Sequence, residues 1–139
     1  MNATDTLELA PVSRRKVTTV LLWTGQILFA ALFIFGGVNK LFGWNDEMMR
    51  NFAKLGGDWF RYFVGLLELT GGVGLLIPSL SGVAALELTA VMAGAVGTHL
   101  FFQPPAYFAV MPGTIGVLLL LIARARSAEI KAALEAFRA

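Results

Sequence analysis

The sequence contains no cysteine. Disulfides, thiolate-bound metal and a thiol nucleophile are therefore excluded. It has one histidine, His99, so a haem held between two imidazoles is excluded, and a lone imidazole falls short of the several ligands a metal site needs. Charge is also scarce. Asp, Glu, Lys and Arg make up 14% of the residues against 57% hydrophobic, and the mean hydropathy is +0.72, well to the apolar side of soluble domains. The net charge of +2 does not point to nucleic acid, because the cations flank apolar runs instead of forming a patch. Arg14, Arg15 and Lys16 precede the first run, and Arg124, Arg126, Lys131 and Arg138 follow the last.

What the chain does have is four apolar runs, at about 17–38, 60–77, 82–102 and 106–123. A membrane-spanning helix needs roughly 17 to 25 mostly apolar residues. A 139-residue globule has too little interior to bury four helices that are apolar on every face. The expected fold is therefore all-α, a four-transmembrane-helix antiparallel bundle with a short interfacial helix between the first and second spans. Residues 1–16 read as a cytoplasmic N-terminal tail, 17–126 as the membrane domain and 127–139 as a cytoplasmic interfacial helix carrying Ile130, Leu134 and Phe137 on one face. The basic flanks place both termini on the cytoplasmic side. Lys40, Arg50, Lys54 and Arg61, in the first connection, oppose that orientation. The first run is longer than the roughly 7–15 apolar residues of a secretory signal, so it reads as a retained helix.

Local signals divide the runs. Gln26, Ala30, Phe33, Gly37 and Lys40 recur at helical spacing, which puts a polar group near each end of one small-residue face. Gly43 suits the stop of that helix. Asn45 is positioned to cap a short helix with Asp46 and Glu47 in its first turn, and Gly56 and Gly57 end it. Its stripe of Met48, Phe52 and Leu55, bracketed by Trp44 and Trp59, fits either a lid over the bundle or a plain connector. The second span is expected to run to Pro78, and the uncharged PSLSG turn makes it a hairpin with the third. Pro112 and Gly113 imply that the fourth helix is kinked or broken near the outer surface.

The second run carries a carboxylate. Glu68 sits amid glycines in VGLLELTGGVGLLI, and an acid at the centre of a membrane helix costs roughly 2.5–3.5 kcal/mol on insertion scales, so it is expected to face inward toward a partner. Gly65, Gly71 and Gly72 fall on its face, and Gly94 lies on the small face of the third helix; all four are expected at close helix contacts. Glu68 lies about 12 Å below the outer start of its helix. Asn39, Lys40, Glu68 and His99 are thus expected to form one polar cluster in the outer half, for binding or proton relay. Gln26 and Glu87 are expected to form a second pair in the inner half. Each residue also has a bland reading: Lys40 snorkelling to headgroups, Glu68 acting as glue between helices, His99 structural.

At these residues the chain resembles the DoxX family of small four-helix membrane proteins. The matching pieces are FIFGGVNKLFG at 33–43, GLLELTGGVGLLIP at 65–78 and His99, within a similarity covering about 20–123. Lys40, Glu68, Gly71, Gly72 and His99 match the family's pattern, whereas 102–111 departs from its longer final connection. The resemblance implies an accessory subunit of a membrane redox complex linked to quinone, not an enzyme on its own, with the lipid bilayer, redox subunits or a second copy as partners. Two other functions fit the residues: a small proton- or cation-coupled carrier or channel, and an assembly protein without activity of its own.

Overall fold

The computed structural model describes the backbone of residues 3–139 and the side chains from residue 14 onward. Helix α1 (Ala3–Phe42) begins well before the basic cluster. The segment expected as a tail therefore continues the helix from Ala3, and Met1 and Asn2 lie outside the described residues. Gly43 ends α1 as expected. It adopts φ +67°, which favours glycine, and its N–H donates to the Asn39 carbonyl at 2.8 Å.

Helix α2 (Asp46–Leu55) is capped by Asn45, whose side chain accepts from the Met48 N–H at 2.9 Å. Gly56 and Gly57, both at positive φ, turn the chain into α3 (Asp58–Leu75). That helix stops before Pro78: the chain turns at Leu76, with Ile77 N–H donating to Gly74 and Leu80 N–H to Ile77. Helix α4 (Ser81–Phe101) runs back. A 3-10 turn (Ala106–Ala109) then leads into α5 (Val110–Ala125). Pro112 lies in the first turn of α5, where a backbone N–H has no intrahelical partner to lose. The fourth helix is consequently not broken at Pro112: its 3-10 start at Ala106 runs directly into α5, and the interruption after α4 lies at 102–105. Helix α6 (Ser127–Arg138) closes the chain.

Glycines set the packing. On α1 and α3, a Cβ at Gly37 would lie 2.6 Å from the Gly65 carbonyl oxygen, and one at Gly72 would lie 3.2 Å from that of Ala30, so these helices touch backbone to backbone, as small residues permit. The same contacts make them antiparallel. Gly71 receives Leu88 of α4 and Gly74 receives Ala84, which sets the α3/α4 register. Met92 packs over Gly116 and Val96 near Gly113, joining α4 to α5. The bundle therefore goes round as α1, α3, α4, α5, with Ala30, Phe33, Leu75, Leu88, Leu119 and Ile122 in its core. Leu28, Phe35, Leu66 and Leu120 project outward, the inside-out surface a lipid solvent allows.

Among the described residues, three segments are long and apolar enough to cross a membrane: Arg14–Phe42, Ser81–Phe101 and Ala106–Ala125. Helix α3 differs because its 18 residues include Asp58, Arg61 and Glu68. Arg61 was expected as a connection charge. It is instead inside α3 and only 3% exposed. Its guanidinium donates to the Lys40 carbonyl at the end of α1 and to Asp58 Oδ1 at 3.2 Å. A cation on the last carbonyls of a helix satisfies acceptors that otherwise have none.

The expected close contact at Gly94 is absent: nothing lies within 4 Å of a Cβ placed there. Gly94→Ala should therefore be tolerated, raising stability by up to about 1 kcal/mol through helix propensity. Thermal melting in detergent checks this; a loss of stability would mean the site is filled. At α6, Ile130 and the Arg126 carbonyl close over Gly82, whereas Leu134 and Phe137 remain exposed.

Candidate functional site

Lys40 and Gly36 share a face of α1, one turn apart, and that face meets Glu68 of α3. The Lys40 ammonium Nζ donates to Glu68 Oε2 at 2.7 Å, and Glu68 is 6% exposed. Gly36 makes room for the carboxylate, since a Cβ there would stand 3.0 Å from Oε2. Arg61, bound to the Lys40 carbonyl, holds the backbone from which the lysine reaches down. The pair is charge-assisted and short, and it is shielded by helix backbone on one side.

Two cavities meet at this pair. The smaller, about 630 Å³, lies between α1, α4 and α5 and is walled by Phe33, Met92, Tyr107, Phe108, Pro112 and Ile115. The larger, about 910 Å³, lies beneath α2 between α3 and α4, and takes Glu47 and Asn51 from α2 and Asn45 from its cap. Met48, Phe52 and Leu55 of α2 also face it, so the apolar stripe of that helix is turned toward the bundle. Lys40, Glu68, Ala95, His99 and Met111 border both cavities.

The expected four-residue cluster forms only in part. Lys40 and Glu68 bond directly. His99 borders the same two cavities, but the α3/α4 register puts its backbone about 12 Å above that of Glu68 along the bundle. Its Nδ1 is buried with no hydrogen-bond partner among the described residues, and its ring lies 6.1 Å from that of Phe108. Asn39 does not join. It borders neither cavity, because it stands one position round the helix from Lys40, and its Oδ1 is buried without a partner among the described residues.

The expected Gln26–Glu87 pair does not form either. Fully buried Gln26 donates to the Leu75 carbonyl at 2.8 Å and accepts from Arg126 Nε at 2.9 Å. It thereby ties the end of α3 and the start of α6 to α1. Glu87 faces the other side of α3, within 3.2 Å of the Thr70 hydroxyl, and borders the larger cavity. Gly65, Gly71 and Gly72 lie at close helix contacts as expected.

Residues 24–123 match the DoxX-like family. The chain belongs to the DoxX-like family. With three apolar helices long enough to cross a bilayer, this DoxX-like chain is an integral membrane protein. No match is found among curated proteins or among solved structures. Within the matched segment fall the ion pair, both cavities' α1, α3, α4 and α5 walls, and the glycines that close α1 on α3. Sequence reasoning missed Gly36, Arg61, Gln103 and Arg126 in this DoxX-like site. Spacing carried a signal for two of them: Gly36 precedes Lys40 by four residues, and Arg61 follows Asp58 by three, the intervals of one helix face. Arg126 reaches Gln26 of α1, 100 residues away, and Gln103 lines the larger cavity; neither role is written in local spacing.

Proposed function

We propose that this chain is an accessory, quinone-binding subunit of a redox complex in a bacterial inner membrane, with α3 as a fourth span and both termini in the cytoplasm. The observation that carries the reading is the Lys40–Glu68 pair, its carboxylate buried, in the wall of an apolar cavity where His99 Nδ1 has no partner among the described residues. Helix α3 is about 27 Å long, close to the roughly 30 Å of a hydrocarbon core. Its charges are each paired: buried Glu68 with Lys40, and buried Arg61 with Asp58 at the exposed start of the helix. Two of the four cations that opposed the orientation, Lys40 and Arg61, are thus neutralised by partners and weigh less as topology signals.

The residues fit such a ligand. An unmatched buried polar atom is rare and calls for a partner; His99 and Lys40 would hydrogen-bond the ring oxygens, while Phe33, Tyr107 and Phe108 would pack against the ring and the start of its tail. A bound quinone supplies two-electron, two-proton redox capacity. The chain itself, without cysteine and with one histidine, supplies no thiol or paired-imidazole electron carrier, so electrons would come from a partner subunit. Glu68 can hold or release a proton beside the ring, and Lys40 orients it.

The test is purification in mild detergent from native membranes, followed by extraction of bound quinone and titration of a short-chain quinone into nanodiscs. We expect quinone near stoichiometry in the wild type. His99→Leu should weaken binding about tenfold, the cost of one lost hydrogen bond to a buried acceptor. Wild-type protein that carries no quinone and shows no saturable binding would remove this reading. Proton flux in proteoliposomes without added quinone would favour a carrier in its place.

A further inference from the structure

The two cavities differ in their linings. Of the 21 residues around the larger one, nine are polar or charged: Lys40, Asn45, Glu47, Asn51, Glu68, Glu87, Thr98, His99 and Gln103. The smaller has four such residues in 14: Lys40, Glu68, His99 and Tyr107. In the larger cavity the polar groups are also spread over its whole depth. Those of α2 and Gln103 lie at the α2 end, Thr98 and His99 just below, Lys40 and Glu68 deeper, and Glu87 at the bottom. Two of its buried polar atoms, His99 Nδ1 and Gln103 Nε2, have no partner among the described residues. Most of the wall is apolar, but a roomy space with hydrogen-bonding groups at every depth, two of them unmatched, can hold ordered water. Gly94 keeps the middle of the passage open, since nothing lies within 4 Å of a Cβ placed there.

Depth gives the cavity its meaning. Glu87 lies 14 residues before the end of α4 at Phe101, about 21 Å down a helix about 31 Å long. With Leu88 opposite Gly71, it stands about 6 Å deeper than Glu68. The Thr70 hydroxyl is 2.9 Å from the Leu66 carbonyl and 3.2 Å from Glu87 Oε1. When its single hydrogen goes to Leu66, its lone pair is free to accept from a protonated Glu87. The ionisable groups that border the same space are Lys40 from α1, Glu47 from α2, Glu68 from α3 and His99 from α4, while α5 contributes only Met111. Glu87 has no cation bonded to it among the described residues.

We propose that the larger cavity is a hydrated half-channel through which Glu87 and Glu68 exchange protons with the compartment on the α2 side. A proton leaving either carboxyl passes to water in the cavity, and the carboxylate takes one back by the same route; no other bond changes. Where the quinone reading also holds, the apolar cavity on the far side of the Lys40–Glu68 pair serves that ligand, and protons and ligand reach the pair by separate doors. This inference goes beyond the quinone reading and does not require it.

The absence of cysteine makes the test clean. Single variants Ala90→Cys and Gly94→Cys, one and two turns above Glu87, are compared with Val83→Cys, a turn below it, and Leu120→Cys on the outer surface of α5. Full-length protein in vesicles of uniform orientation is treated with a membrane-impermeant charged methanethiosulfonate on one side at a time. Positions 90 and 94 should react from the α2 side at least about tenfold faster than 83 and 120, because only a hydrated thiol ionises and attacks. From the opposite side they should not react. Equal, slow labelling at all four positions would mean a dry cavity and overturn the proposal, as would labelling from the terminal side. Unaltered protein gives a second reading: the carboxyl infrared band assigned to Glu87 by its loss in Glu87→Gln should shift within seconds of deuterium oxide reaching the α2 side. A band that stays unexchanged for hours would overturn the proposal too. Neither readout involves quinone, so the failure of either reading is recognisable by itself.

Discussion

Lys40→Met will destabilise the bundle by about 3–5 kcal/mol, and adding Glu68→Leu to that variant will recover most of the loss. Removing the lysine leaves a carboxylate that is 6% exposed among helix backbones, with no other cation bonded to it among the described residues. Such a group must either stay charged and unpaired or take up a proton, and both cost free energy. The double change removes both charges, and a pair of well-packed apolar side chains costs little where an ion pair stood. The order of stabilities, wild type close to the double variant and both well above the single one, is measurable by thermal or denaturant unfolding in micelles. A single-variant loss below about 1 kcal/mol would show that water in the cavity solvates the carboxylate as it does a surface bridge.

Gly37→Leu will do more damage than any other single change at a helix contact. A Cβ at Gly37 meets the Gly65 carbonyl oxygen at 2.6 Å and the Leu69 amide nitrogen at 2.8 Å. These are backbone atoms and cannot rotate away, so α1 and α3 must separate. At Gly71 the first atom met is a Leu88 side-chain carbon, which can adjust. Even Gly37→Ala is expected to lose about 1–3 kcal/mol or more, and the leucine variant should fail to give a folded, monodisperse protein in detergent. Because Lys40 lies one turn from Gly37, the alanine variant should also lengthen the 2.7 Å ion pair and, on the proposed quinone reading, weaken ligand retention beyond what its stability loss accounts for. A Gly37→Leu protein that melts like the wild type would refute the backbone contact.

The reach of sequence reasoning can be judged residue by residue. Asn45, Gly43, Gly56 and Gly57 were legible because caps and positive-φ turns are local events, decided within four residues. The Lys40–Glu68 pair was legible because two opposite charges in apolar helices have few places to go. Glu87 was misassigned to Gln26 for the complementary reason. Both were placed correctly toward the same end of the bundle, yet depth says nothing about azimuth, and the register of α3 against α4 turned Glu87 to Thr70 instead. Gly94 shows the same limit: a small residue permits a close approach but does not create one, and α4 leaves that face to the cavity.

Composition and periodicity were enough to establish helices apolar on most faces, an acid that demanded a cation, and glycines on which helices could close. Those follow from solvation, which acts on each residue wherever it sits in the fold. Which polar groups meet, which stay unpartnered and where space remains between α3 and α4 depended on rotation and register between helices. These are set by the sum of many side-chain contacts, and no single position in the chain encodes them.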